Sequence, residues 1–141
     1  MSTTPGDLFE IVEAEVRGRP MRVFANTPPS LRTLWELSAG HGEATYLVYE
    51  GRRYSYADAH RIVGSVGAHL ARLGVAPGDR VAIAMRNLPE WPMAFWAIVG
   101  MGAVAVPLNA WWSGPELAYG LADSGARVLF ADDERLARLQ G

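Results

Sequence analysis

Three short apolar runs in the second half of the chain predict buried β-strands. They are Arg80–Met85, Ala103–Leu108 and Arg127–Ala131, and each is rich in small or β-branched residues. Near-continuous runs of this kind are typical of strands that are covered on both faces, as in a parallel sheet between helices. Because helical patterns separate them, the pattern predicts a three-stranded parallel, doubly wound α/β unit. Any ligand crevice of such a sheet lies outside the carboxyl ends of its strands.

Capping sequences predict where the helices begin. A serine, asparagine or aspartate precedes each helical pattern, and an acidic residue often follows it three positions later, as in a capping box. Behind Ser30 the stripe contains Leu31, Leu34, Trp35 and Leu37, and Gly74 and Gly125 are suitable left-handed ends for two of the later helices. The predicted starts are Ser30, Ser55–Asp58, Asn87–Glu90, Ser113–Glu116, and Asp132 or Asp133.

The N-terminal part predicts a β-hairpin and a helix. Thr45–Glu50 and Arg52–Tyr54 are strand-like, and Gly51 between them permits a tight turn. Further upstream, apolar positions near helical spacing, including Leu8, predict an amphipathic helix over Asp7–Val16. Glycine and proline then predict irregular chain over Arg17–Pro29. The chain therefore divides into a lead-in of residues 1–29 and an α/β unit of residues 30–141.

Composition excludes several kinds of chemistry. All 13 basic residues are arginine, so lysine-dependent phosphate loops, Schiff bases and Ser-x-x-Lys pairs are excluded on this chain. Cysteine is absent, which excludes disulfides and thiolate metal sites and is compatible with the cytoplasm. A formal net charge of −2 gives no electrostatic case for nucleic acid or anionic lipid as a partner. No basic region followed by an apolar core marks a secretion signal.

One segment raises the alternative of a membrane anchor. No residue from Trp91 to Pro115 is charged, and a stretch of that length can cross a bilayer. Pro92, Gly100, Gly102 and Pro107 interrupt it, however. The pattern favours a helix of about 11 residues, a turn and a strand over a membrane span.

Several short motifs resemble functional sites but have structural explanations. Gly100-Met-Gly102 joins a helix to a strand, whereas a dinucleotide loop joins a strand to a helix. Val63–Gly67 lies within a helix, unlike a nucleophile elbow, and its glycines are expected to permit close packing. His41, His60 and His69 lack the spacing of a metal site, which favours solvated or edge positions.

The carboxyl ends of the predicted strands carry the remaining candidates. Asp132-Asp133-Glu134 is placed to meet a ribose or magnesium, but helix capping is the favoured interpretation. Asn87 is interpreted as a cap, and Arg86 as a solvated rim residue with a phosphate or carboxylate contact as the alternative. For Trp111-Trp112, core packing is favoured slightly over a ligand or partner contact by at least one indole.

The ordered set of motifs from Ser30 to Leu139 resembles the amino-terminal part of AMP-forming acyl-CoA synthetases, in the adenylate-forming superfamily. Each motif is weak alone, and their order and spacing carry the resemblance. The motifs are Arg53–Asp58, Leu73–Ile83, Asn87–Trp91, Gly100–Asn109, Glu116-Leu117 and Asp123–Phe130.

The resemblance implies a partial copy of the large N-terminal α/β domain of such a ligase, truncated at its C-terminal end. Complete enzymes of this family use ATP and magnesium to convert a carboxylic acid, such as a fatty acid, into an acyl-adenylate, and coenzyme A then displaces AMP. The family's phosphate loop, magnesium-site glutamate, ribose-binding aspartate and catalytic lysine lie downstream of the matched region. The resemblance therefore implies a fragment that carries no catalytic or metal-binding residue, binds no cofactor of its own and is inactive alone.

One site is implied by the resemblance. In related acetyl-type and medium-chain enzymes, the loop after the second parallel strand borders the coenzyme A tunnel. The corresponding loop here is Asn109–Ser113, so Asn109 and Trp111 are the expected cofactor-binding residues. An indole departs from the polar side chain of some relatives, which leaves stacking or simple packing as the contact.

A hypothesis of a different class is a free-standing, flavodoxin-like binding or scaffold module without catalysis. That hypothesis requires both sheet faces and the sheet edges to be closed by the residues present. Exposed apolar surface, with association through it, favours the ligase fragment instead.

Overall fold

In the computed structural model, which describes residues 6–7 and 9–140, strands and helices alternate along most of the chain. A short 3₁₀ turn, Ala39–His41, follows the first helix. The elements are β1 Ile11–Val16, β2 Arg19–Phe24, α1 Leu31–Ser38, β3 Thr45–Tyr49, β4 Arg52–Ser55, α2 Tyr56–Arg72, β5 Arg80–Ala84, α3 Glu90–Gly100, β6 Val104–Pro107, α4 Gly114–Ser124, β7 Val128–Ala131 and α5 Asp133–Gln140.

The predicted parallel sheet is confirmed. β5 lies at its centre and pairs in parallel with β6 on one side and with β7 on the other. At the middle of the sheet Ala82 lies opposite Val106 and Leu129. The chain therefore adds β6 on one side of β5 and then crosses to the other side for β7, which is the doubly wound arrangement.

The core lies on both faces of β5, as its unbroken apolar run predicts. Val81 and Ile83 point to the larger cluster, which contains α2 and α3, and both are fully buried. Ala82 and Ala84 point to the opposite face, where Leu117 of α4 covers them. Strands buried on both faces cannot alternate with polar residues, which explains why β5 shows no such alternation.

Most of the predicted caps are confirmed. In the capping box of α2, Ser55 Oγ accepts the Asp58 N–H at 3.0 Å and the Asp58 carboxylate accepts the Ser55 N–H at 3.3 Å. Glu116 accepts from both the N–H and the hydroxyl of Ser113 at the start of α4. The chain takes up positive φ at Gly74 and at Gly125, which follow α2 and α4.

The predicted cap at Asn87 is wrong. Helix α3 begins three residues later, at Glu90, with Pro89 in the cap position and no side-chain cap bond. With Asn87 as the cap, the second helical residue would be Pro89, which has no N–H, so only the Glu90 N–H would remain for its side chain to accept. The Leu88 N–H instead bonds the Arg86 carbonyl at 2.7 Å, so the chain turns before the helix starts.

Residues 11–24 form a β-hairpin, so the predicted helix over Asp7–Val16 is wrong. The prediction of irregular chain over Arg17–Pro29 is wrong for β2, Arg19–Phe24, and correct for residues 25–29. β1 and β2 pair antiparallel, with Glu13 opposite Arg22. Arg17 and Gly18 both have positive φ, as a tight two-residue hairpin turn requires. β-Branched residues at Ile11, Val12 and Val16 favour a strand over a helix. Leu8, which was assigned to that helix, lies outside the described residues.

The uncharged stretch from Trp91 to Pro115 contains α3, a turn, β6 and the start of α4, which agrees with the prediction of a helix followed by a strand. Among the described residues no helix has both the length and the hydropathy needed to cross a bilayer.

The glycines of Val63–Gly67 do not serve close packing, contrary to the prediction. A Cβ atom at Gly64 or Gly67 would meet no atom of another element within 4 Å. Both glycines line an open groove of about 380 Å³ between α1, α2 and α3.

Candidate functional site

A cleft of about 490 Å³ opens at the carboxyl ends of β5 and β6. The loop after β5 leads to α3 on one face of the sheet, and the loop after β6 leads to α4 on the other. The two loops therefore diverge and leave a crevice between them, outside the carboxyl ends of the strands. The lining residues are Met85, Arg86, Asn87, Trp91, Pro107, Leu108, Asn109, Ala110 and Trp111.

Arg86 and Trp111 meet across this cleft. The guanidinium carbon of Arg86 lies 3.9 Å from the centre of the Trp111 ring, which is close enough for a cation–π contact. The indole is 69% exposed. Within the described part of the chain Arg86 forms no ion pair with a carboxylate. The pair therefore presents a positive charge and an accessible aromatic surface at one rim.

Asn109 shapes the loop that carries Trp111. Its side-chain oxygen accepts the Trp111 N–H at 2.9 Å, and its carbonyl accepts the Trp112 N–H at 3.1 Å. This local bonding is typical of asparagine in turns. The structure thus brings both predicted site residues to the same cleft, with Asn109 ordering the backbone and Trp111 forming the surface.

The two adjacent tryptophans have different environments. Trp112 packs into the smaller core with Leu108 and Leu117. Its ring lies so close to Gly120 that a Cβ atom there would be 2.8 Å from a ring carbon. Trp111 points to the cleft instead. Core packing, the favoured interpretation of this pair, therefore applies to Trp112, whereas Trp111 is exposed and lines the cleft.

Asp132 links the carboxyl ends of two strands. Its side chain caps α5 by accepting the Arg135 N–H at 3.0 Å, and its other oxygen accepts the Arg86 N–H at 2.9 Å. Burial alone would raise the pKa of Asp132, but these N–H groups and the Arg135 guanidinium outweigh it, so the pKa lies below its ordinary value. Capping is therefore the observed role of Asp132.

Arg135 is the residue of this region that sequence reasoning missed. Its side chain is 1% exposed, and its Nη1 donates to the carboxylates of Asp132 and Glu134. The only available signal was its position three residues after Asp132, which also suits an exposed helical pair. Nothing in the pattern distinguishes a buried arginine from a solvated one.

The histidines are dispersed. His41 and His69 are exposed, as predicted, whereas His60 is half-buried and stacks on Trp35 with 4.0 Å between ring centres. Ser38 Oγ and His60 Nε2 are 3.0 Å apart. Among residues 6–7 and 9–140 no cluster of histidine, aspartate and glutamate side chains is suitable for holding a metal ion.

Comparison with known proteins gives the family. The model of the family described as AMP-binding enzyme matches residues 34–141. The chain belongs to this family. It is 34% identical over 100 residues to the 4-hydroxybenzoate–CoA/benzoate–CoA ligase of Rhodopseudomonas palustris. This match covers 71% of this chain and 19% of the relative. It is also 34% identical over 122 residues to a medium/long-chain-fatty-acid–CoA ligase of Mycobacterium tuberculosis. This second match covers 84% of this chain and 20% of the relative.

Solved structures of this family share the fold. An anthranilate CoA ligase in complex with anthranoyl-AMP superposes with a TM-score of 0.76 at 28% identity, over 82% of this chain and 23% of that one. The inhibitor-bound N-terminal domain of FACL13 from Mycobacterium tuberculosis gives 0.74 at 28% identity, over 79% of this chain and 29% of that one. The chain therefore spans about a fifth of the length of the curated relatives it matches and corresponds to the N-terminal part of an AMP-forming ligase.

Proposed function

We propose that this chain supplies the opening part of the large domain of an acid–CoA ligase. The complete enzyme joins a carboxylic acid to ATP with magnesium, releases pyrophosphate, and transfers the acyl group from the adenylate to coenzyme A. The match over residues 34–141 to the family of AMP-binding enzymes, together with relatives that are CoA ligases, supports this proposal. The cytoplasm is the proposed compartment.

The proposed contribution of the chain to binding is the loop Asn109–Ser113. Trp111 offers an accessible indole, and Arg86 holds a positive charge 3.9 Å from the indole centre. An adenine ring stacks well on an indole, and a phosphate pairs well with a guanidinium. The coenzyme A nucleotide contains both groups. This pairing of an exposed indole with an arginine at the strand ends is the observation that carries the proposed site.

The chain on its own is proposed to lack adenylation activity. It contains no lysine, and the family's phosphate loop and acidic ATP ligands are expected in the parts of the relatives that this chain does not match. On this proposal the chain provides strands, helices and one wall of the cosubstrate site. The reacting groups come from the remainder of the ligase.

Exposed apolar surface supports the fragment rather than the free-standing module. In the apolar stripe of α1 only Trp35 is buried, whereas Leu31, Leu34 and Leu37 are 46–65% exposed. Val104, on the outer strand β6, is 48% exposed. β6 and β7 each pair only with β5 in the described structure, so each leaves an edge unpaired. Edges and patches of this kind promote association.

Titration with coenzyme A tests the proposed site. The family resemblance implies a fragment that binds no cofactor of its own. The exposed Trp111 beside Arg86 leads us to propose instead that coenzyme A quenches the tryptophan fluorescence of the chain in a saturable manner, because its adenine stacks on Trp111. Trp111→Leu is expected to abolish this quenching. Tyr119→Leu is the matched control, because Tyr119 is 70% exposed and lies outside the cleft. Equal quenching of the parent and of Trp111→Leu would contradict the proposed contact.

A further inference from the structure

Helix α5 holds the loop that carries Trp111 through two arginines. Arg135 Nε donates to the Ala110 carbonyl at 2.7 Å. Arg138 Nη1 donates to the Trp112 carbonyl at 2.7 Å and to the Ala110 carbonyl at 3.3 Å. The carbonyls on both sides of Trp111 are therefore bound by guanidinium groups from a different element.

The backbone of α5 also approaches the same segment. A Cβ atom at Gly114, the first residue of α4, would overlap the Arg138 carbonyl oxygen. Only glycine permits this approach. The contact places the end of the loop directly against the last turns of α5.

The Arg135 side chain is poorly explained by stability alone. It is 1% exposed, and its Nη2 has no hydrogen-bond partner within the described residues. A buried ion pair is weak evidence for stability, because desolvation of the charges offsets their attraction. What distinguishes this side chain is the orientation of its guanidinium group. Asp132 binds Nη1, and Nε faces the loop and donates to it. Because the guanidinium is planar and rigid, the bond that fixes Nη1 also fixes the direction in which Nε donates.

A second arginine–aspartate pair provides the contrast. Arg61 and Asp58 on α2 have the same three-residue spacing and the same 3.0 Å separation as Arg135 and Asp132. The Arg61 side chain is 72% exposed, however, and its only hydrogen-bond partner in the described structure is Asp58. Only the pair on α5 is buried and bound to a loop backbone.

We propose that Arg135, assisted by Arg138, is a positioning residue that fixes loop 109–113 and thereby holds the Trp111 indole against Arg86 at the cleft. Asp132 completes the arrangement, because it binds both Arg135 and the Arg86 N–H and so relates the two sides of the cleft. The relevance of this arrangement to coenzyme A rests on the proposed function. The positioning itself does not.

Hydrogen exchange measured by mass spectrometry on the 141-residue chain tests the positioning. The amides of Trp111 and Trp112 donate to Asn109, and the Ser113 amide donates to the Glu116 carboxylate of α4, so their protection reports the order of the loop and of its junction with α4. Arg135→Lys keeps the charge near Asp132 but loses the Nε donor. We expect exchange of these loop amides to accelerate about tenfold or more, as for loss of a charged hydrogen bond, while amides of α2 keep their parent rates.

Two further variants keep the test decisive. Arg138→Lys, at a partly exposed position, is expected to accelerate the same loop amides by a smaller factor without unfolding the chain. Arg61→Lys is the matched control and is expected to leave the loop unchanged. Unchanged loop exchange in both α5 variants, or an equal acceleration of loop and α2 amides, would overturn the positioning role.

A second arm with coenzyme A separates this inference from the proposed function. If both hold, coenzyme A slows exchange of the loop amides in the parent, and a higher concentration is needed in Arg135→Lys. Absence of any slowing in the parent would reject the proposed coenzyme A site. The comparison of variants without coenzyme A would still decide the positioning role.

Discussion

At the scale of single residues, glycines with the same sequence appearance have opposite roles. Gly64 faces an open groove from the middle of α2, whereas Gly120 in α4 leaves space for the Trp112 ring. Sequence alone treats both as helical glycines that lower helix stability. Only the structure shows which of the two a side chain can replace.

Alanine substitution distinguishes these glycines. Gly64→Ala is expected to raise the free energy of unfolding by about 0.5–1 kcal/mol, because alanine restricts the unfolded chain and has room in the groove. Gly120→Ala is expected to lower it by about 1–3 kcal/mol, because the new methyl group overlaps the indole. Urea denaturation followed by circular dichroism measures both. Destabilisation by Gly64→Ala would contradict the expectation that the groove has room for the added methyl group.

His60 predicts a pH dependence of stability. Burial against Trp35 lowers the pKa of His60 below its ordinary value of 6.5, because burial disfavours the imidazolium. The unfolded chain therefore binds a proton more readily than the folded one. The stabilisation is complete above the unfolded pKa and declines as the pH falls below about 6.5 towards the folded pKa.

The measurement compares the parent with His60→Gln, which keeps a polar group near Ser38. Between pH 7.5 and 5.5 the free energy of unfolding should decrease more in the parent than in the variant. Parallel curves for the two proteins would show that His60 titrates equally in both states.

At the scale of elements, caps with similar sequences behave differently. Ser55 and Asp58 form a reciprocal box, whereas Asn87 makes no cap bond to α3. Ser55→Ala is therefore expected to lower the free energy of unfolding by about 1 kcal/mol, as for other helix caps. Asn87→Ala is expected to change it by less than about 0.5 kcal/mol, as for ordinary surface positions. Thermal melts of the two variants provide the measurement. An equal loss of stability in both would show that Asn87 does cap α3.

The elements also show how far sequence reasoning reaches. β5 and the hairpin of β3 and β4 were predictable because apolar runs and turn residues are local signals that tertiary contacts reinforce. The strand β1 was not recognised, because its apolar positions also lie near helical spacing and the Arg17-Gly18 turn lacks the usual Asn-Gly signature. Asn109 and Trp111 were reached through family resemblance, whereas the buried Arg135 depends on contacts between α5 and a distant loop that no local pattern encodes.

At the scale of the whole molecule, the described part of the chain has a buried core on both faces of a short parallel sheet. The outer strands β6 and β7 of this sheet each leave an edge unpaired, and a cleft lies at its strand ends. Its family membership rests on a match that covers residues 34–141, whereas it spans about a fifth of its curated relatives. The chain thus corresponds to the N-terminal part of a ligase, and our proposal is that it supplies one wall of the cosubstrate site and none of the adenylation machinery.

Acid-dependent exchange of pyrophosphate into ATP tests that interpretation most directly. The purified 141-residue chain would be assayed with magnesium, ATP, labelled pyrophosphate and a panel of aromatic and fatty acids, beside an intact CoA ligase as the positive control. We predict no acid-dependent exchange by the chain under conditions in which the control is active. Exchange by the chain alone, proportional to its concentration, would contradict the claim that the reacting groups lie elsewhere in the ligase.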